Sequence, residues 1–219
     1  MIRLAVFDCD GTLVDSQHNI CAAMAECFAA AGLEAPPPER TRRVVGLSLV
    51  EGMRAMRPEA DDDEHVALAE SYKRAFQDMR ARGLEEEPLY DGIADVLEAL
   101  AEDGWALGVA TGKSDRGLNL CLDHHAIHAR FVTLQTANRH PSKPHPSMIE
   151  TAMAEAGALP ETTIMIGDTS FDMAMARAAG VTAIGVTWGY HEPEDLLRAG
   201  AHHIAQHPRD LVALSRTLA

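Results

Sequence analysis

The chain has no Cys-x-x-Cys pair, no excess of basic charge and no apolar run near the ~20 residues of a membrane span. Each absence excludes a class of protein. The four cysteines, Cys9, Cys21, Cys27 and Cys121, are too scattered for a zinc knuckle or a redox motif, and read as free thiols in a reducing compartment. Lys and Arg number 19 against 33 Asp and Glu, for a net charge of −14. That balance disfavours a nucleic-acid partner, because binding a phosphate backbone needs a basic face. The first apolar run is only about five residues long and ends on Asp8, too short for a secretory leader. We therefore expect no membrane attachment and a cytoplasmic location. Internal repeats and low-complexity tracts are also missing. What remains is 219 residues with 47% apolar and 24% charged content, ordinary for a globular chain. The length allows one large domain, or one domain carrying a smaller insert.

Five strand-like runs stand out: 3–7, 105–110, 131–135, 163–166 and 181–186. Most are nearly continuous in apolar residues, which suits a parallel sheet covered on both faces. Helical periodicity separates them. Ile93, Val96, Leu97 and Leu100 recur at i, i+3, i+4 and i+7, as do Ile149, Ala152, Met153 and Ala156, then Phe171, Ala174, Met175 and Ala178. Gly157 and Gly180 stand just past the last two helices as stop signals. Alternating strands and helices predict a doubly wound α/β fold with a mainly parallel, Rossmann-like sheet.

Residues 16–83 break this rhythm with helical stripes alone. Ile20, Met24, Cys27, Phe28 and Ala31 form one stripe; Leu68, Tyr72, Phe76 and Met79 form another, with Pro36, Pro37 and Pro38 between them. The pattern predicts an all-helical insert placed after the first strand, leaving 1–15 and 84–219 as the α/β core. Val14–Ser16 and Gly83–Pro88 are the expected hinges. The acidic run Asp61–Glu64 suits a helix N-terminus, where negative charge favours the dipole. The run Glu85–Glu87 reads as a solvated linker.

The polar residues that directly follow the strands carry the chemistry. Asp8 and Asp10 follow the first strand, in DCDGT. Thr111 follows the second, in VATGKS. Asp168 follows the fourth, in GDTSFD, with Asp172 four residues on. Lys143 lies in SKPHP, after the third strand, and Pro146 starts the next helix. Parallel strands share a direction, so all of these meet at one edge of the sheet, where open α/β sheets bind ligands. Two like charges ~4 Å apart repel by about 4 kcal/mol at an effective dielectric of 20. Four converging carboxylates therefore need a cation, and hard oxygen donors point to Mg²⁺. Acids, a metal, a lysine and a threonine together suit a phosphate ester.

In these motifs, taken in order, the chain resembles the haloacid dehalogenase-like hydrolase superfamily, in its helical-cap group and phosphoglycolate phosphatase-like branch. The resemblance implies a Mg²⁺-dependent phosphatase acting on a small phosphorylated metabolite, phosphoglycolate being the leading candidate. Asp8 would be the nucleophile that becomes an aspartyl-phosphate. Asp10 would protonate the leaving group and then activate water. Thr111, Gly112 and Lys143 would hold the phosphoryl group. The metal would rest on the Asp8 carboxylate, the Asp10 backbone carbonyl and Asp168, with Asp172 ligating or supporting. Asp91 and Ser142 stand where relatives often have Pro and Gly, and neither touches a catalytic role. A second Asp in the first motif favours phosphate-ester chemistry over dehalogenation. A sugar phosphomutase of the same superfamily is the enzymatic alternative; a non-catalytic regulator on a hydrolase scaffold is the alternative of another class.

Other features have plainer readings. Cys9 should point away from the site and pack. His124, His125 and His128, with His202 and His203, read as surface or helix-end residues. In the insert, RRVVGLS at 42–48 carries Gly46, which permits close backbone approach to a ligand. In relatives this loop faces the site, so Arg42 or Arg43 could grip a second anionic group of the substrate. The competing reading is an ordinary helix end with solvated arginines. Oligomeric state is not legible.

Overall fold

The computed structural model describes residues 1–83 and 87–218. Among these, six parallel strands form one sheet: β1 (Ile2–Phe7), β2 (Trp105–Thr111), β3 (Phe131–Thr136), β4 (Ala158–Gly167), β5 (Thr182–Val186) and β6 (His203–Ala205). Their order is β3-β2-β1-β4-β5-β6, and every neighbouring pair is parallel. The chain builds outward from β1 to β3, then returns to the far side of β1 with β4. That reversal opens a crevice between the C-terminal ends of β1 and β4, where such sheets take ligands.

β1 reads as an unbroken apolar run because both of its faces are covered. Ala5 and Phe7 pack into one core with Ile93, Leu97 and Leu211; Leu4 and Val6 pack into the other with Ile149, Met165 and Met173. Successive side chains of a strand point to opposite faces, so the apolar run fills both layers. The first face is covered by α5 (Ile93–Glu102), α6 (Asp115–His124) and α10 (Pro208–Thr217), the second by α7 (Ser147–Ala156), α8 (Ser170–Ala178) and α9 (Pro193–Arg198).

The segment after β1 folds as α1 (Gln17–Ala30), α2 (Pro38–Arg42), α3 (Leu49–Met56) and α4 (Asp62–Ala81), with no strand. Cys27, Phe28, Met53, Leu68 and Tyr72 lie in a third apolar cluster, separate from the two that cover the sheet. Pro38 opens α2, where its missing N–H costs nothing. Asp61 caps α4, accepting from Glu64 N at 2.9 Å, so the acidic run does sit at a helix N-terminus.

Two details depart from the sequence expectation. β4 begins at Ala158 rather than at residue 163, and β6 has no counterpart among the expected runs. The three residues of β6 are too few to display a period of two. The expected 83/84 boundary and Glu85–Glu86 of the acidic run fall outside the described residues.

Candidate active site

β1 delivers Asp8 to the crevice and β4 delivers Asp168, both fully buried. Asp172 joins them from the first turn of α8. Carboxylate oxygens of the three lie within 4.8 Å of one another. Lys143, equally buried, reaches in from the loop after β3. Its Nζ stands 2.9 Å from Asp8 Oδ1 and 2.6 Å from Asp172 Oδ1. The other Asp172 oxygen accepts from Thr169 N at 3.0 Å and Thr169 Oγ1 at 2.6 Å, closing a capping box at the start of α8. Both Asp172 oxygens are thus engaged, one aiming Lys143 and the other fixing the helix.

Asp168 is held as tightly. Oδ1 accepts from Thr12 Oγ1 at 2.8 Å and Oδ2 from Tyr190 N at 2.9 Å. Asp8 Oδ2, by contrast, has no hydrogen-bond partner. Burial pushes the Asp8 carboxyl up to about 7; Lys143 opposes the shift, while Asp172 and Asp10 add to it. Burial also lifts Asp168 well above the usual carboxylate range, with Asp8 and Asp172 reinforcing it. Burial pulls Lys143 down, but Asp172 and Asp8 more than compensate and hold it above its ordinary value. One ammonium therefore faces three clustered carboxylates. Hard oxygen donors, an orphaned carboxylate oxygen and a deficit of positive charge fit a divalent cation such as Mg²⁺.

Asp10 faces a different way. Its Oδ1 accepts from Lys113 Nζ at 2.8 Å and from the Ser16 hydroxyl, which also lies 3.0 Å from Tyr190 Oη. Lys113 in turn donates to Glu87 Oε1 at 2.7 Å. Desolvation lowers Lys113, yet Asp10 and Glu87 hold it well above its normal value. Glu87 is therefore buried and ion-paired, which corrects the reading of its acidic run as a solvated linker. Thr111 ends β2 beside this group, its Oγ1 accepting from Lys113 N at 3.2 Å.

The 46–48 loop of the insert closes over this floor. Gly46, at φ +97°, packs so near the core that a Cβ there would stand 3.1 Å from Thr169 Oγ1. A Cβ on Gly112 would collide with Leu47 O at 2.7 Å. Ser48 N donates to Ser142 Oγ at 2.8 Å, so Ser142, given no role from the sequence, ties the insert to the core. The resulting cavity has Asp8, Asp10, Thr111 and Gly112 on its floor and Gly46 in its wall.

Arg43 does not line that cavity. Arg42 and Arg43 border a second one, with Phe171, Tyr190 and His191, on the far side of the 46–48 loop. Arg42 is also paired with Glu39 at 3.2 Å. The structure therefore places neither arginine where it would grip a substrate standing over Asp8. The histidine clusters gather no metal-ligand set among the described residues. Cys9 packs as expected, its Sγ 4.0 Å from that of Cys121 within the apolar core. Lys113, Glu87, Ser16 and Tyr190 went unassigned from the sequence. Lys113 and Tyr190 each follow a strand end, the same signal that located Asp8, Thr111 and Asp168.

A family profile described as haloacid dehalogenase-like hydrolase matches residues 5–186. Over 100% of this chain and 95% of the relative, the sequence is 32% identical to a probable phosphatase, IndB, of Dickeya dadantii. It is 33% identical to a phosphoglycolate phosphatase of Pseudomonas putida, over 86% of this chain and 71% of that protein. A solved haloacid dehalogenase-like hydrolase from Streptococcus pneumoniae matches with a TM-score of 0.84 at 29% identity, covering 97% of this chain and 98% of the other.

Proposed function

The chain belongs to the haloacid dehalogenase-like hydrolase family, and we propose that it hydrolyses a small phosphate monoester by way of a phosphoryl group carried on Asp8. The observation that supports this most is the state of Asp8: buried at a strand end, paired with Lys143 through one oxygen, with the other oxygen unpartnered. A carboxylate so placed has one oxygen held and one free to attack.

In the first step Asp8 attacks phosphorus and the ester oxygen leaves, taking a proton from Asp10. In the second, Asp10 removes a proton from water, the water oxygen attacks phosphorus, and the Asp8–phosphorus bond breaks to release phosphate. Lys143 neutralises a phosphoryl oxygen, and Thr111 with the backbone at Gly112 holds another. Lys113 and Ser16 keep the Asp10 carboxyl in place through both steps. Asp172 aims Lys143. Asp8, Asp168 and the Asp10 carbonyl would hold Mg²⁺, with Asp172 in support; bound there, it would offset phosphoryl charge. The helical insert, seated over the floor, would keep bulk water out while the phosphoryl group is on Asp8.

Phosphate release from purified protein, with Mg²⁺ and then with excess EDTA, tests this reading. At Mg²⁺ around a hundred times its dissociation constant, linkage adds about 2.7 kcal/mol of stability. Each kcal/mol moves the midpoint of a chain this size by roughly 2–4 °C. EDTA should therefore abolish turnover and lower the melting point by several degrees. Full activity in EDTA would sink the metal assignment. Conversion of a sugar monophosphate into its isomer with little free phosphate would favour the mutase alternative.

A further inference from the structure

The walls of the cavity over Asp8 are mostly apolar. Ile20 and Met24 of α1, Val44 and Leu47 of the loop, and Tyr72 and Phe76 of α4 enclose the space opposite the carboxylates. The rings of Tyr72 and Phe76 lie 6.0 Å apart, centroid to centroid. The cations at the cavity are largely committed elsewhere. Lys113 Nζ is divided between Asp10 and Glu87, Lys73 is paired with Glu70 at 2.6 Å, and Arg80 faces Glu87 at 3.4 Å. Arg116 stands exposed at the mouth rather than inside. One polar group is uncommitted on the inner wall: the Tyr72 hydroxyl, which has no hydrogen-bond partner among the described residues.

Resting on the phosphatase reading, we propose that the ester accepted here carries an uncharged, ring-bearing leaving group, and that Tyr72 and Phe76 select it. A small carboxylated alcohol would meet apolar side chains where its charge needs a counter-ion. Burying such a charge unpaired is far more costly than burying a ring. A ring would cover the Ile20, Met24 and Phe76 surfaces and release water from them. The Tyr72 hydroxyl offers one hydrogen bond to a ring substituent.

The test compares benzyl phosphate, ethyl phosphate and 2-phosphoglycolate, whose leaving groups are all primary alkoxides, so differences report the cavity rather than leaving-group chemistry. p-Nitrophenyl phosphate monitors the chemistry independently. With Mg²⁺ present, kcat/KM for benzyl phosphate should exceed that of the other two by roughly tenfold or more, in line with what apolar pockets discriminate. Phe76→Ala should shrink the benzyl-to-ethyl ratio several-fold. Phe76→Leu, which keeps apolar bulk against α4 and so guards against a folding artefact, should retain most of it. A preference for 2-phosphoglycolate, or a ratio unmoved by Phe76→Ala, would overturn the substrate class while p-nitrophenyl phosphate turnover leaves the phosphatase reading standing. No turnover of any ester would overturn both.

Discussion

Lys143 and Asp8 form a buried ion pair, Nζ to Oδ1 at 2.9 Å, at the point where the strand order reverses. The same ammonium reaches Asp172 at 2.6 Å. One cation therefore organises the attacking residue and the first turn of α8 together. Charges buried this deeply are costly unless paired.

Lys143→Met should consequently be destabilising as well as inactivating. Removing one partner of a buried pair costs about 3–5 kcal/mol, because the other is left uncompensated. Denaturant titration of the metal-free protein should show a loss of that order. An unchanged midpoint would mean that the carboxylates shed their charge at no cost.

The Asp8 carboxyl gives a pH signature. Burial raises it from 3.8 to about 7, so the folded state binds a proton that the unfolded chain has already released. The associated stability is fully present below about pH 4 and is lost as pH rises through 7. In EDTA, the melting point should fall between pH 5 and pH 8. Asp8→Asn has no such proton to lose, so its decline should be shallower and its metal-free stability at pH 8 higher than wild type. Turnover by Asp8→Asn should be abolished. Identical pH profiles for the two proteins would refute this account.

Asp10 and Lys113 are predicted to fail together. A proton-donating carboxyl contributes roughly 10²–10⁴-fold, most where the leaving group is poor. Asp10→Asn should slow an alkyl phosphate far more than p-nitrophenyl phosphate. Lys113→Met frees Asp10 from its 2.8 Å partner and should bias the two substrates in the same direction, by a smaller factor. Equal losses on both substrates would assign Lys113 a structural role only.

Arg43→Ala should leave kcat/KM for 2-phosphoglycolate and p-nitrophenyl phosphate within about threefold of wild type. Its side chain lines the second cavity and not the one over Asp8. A charge-assisted hydrogen bond to substrate is worth about 1.5–3 kcal/mol. A ten- to hundredfold loss confined to 2-phosphoglycolate would restore Arg43 as an anion grip.

The sequence by itself determined the sheet, the all-helical character of the insert and the sheet edge where the polar residues gather. Those features rest on local rules: apolar runs covered on both faces, helical periodicity, and the shared direction of parallel strands. Asp8, Thr111 and Asp168 were legible because each ends a strand, and strand ends of one sheet must converge. Tertiary structure alone decided which charges pair. Lys113 lies one residue past Gly112, yet its partners are Asp10 and Glu87, the latter on the chain returning from the insert. Nothing in the spacing of 10, 87 and 113 announces that meeting. The direction of Arg43 was equally hidden, since five-residue α2 is too short for periodicity to assign its faces. The same holds for Ser142, whose hydroxyl has a role only because the insert brings Ser48 within 2.8 Å of it. Local patterns specify elements and their ends; the rotation of one element against another is set by packing, and the pairings of buried charge follow from it.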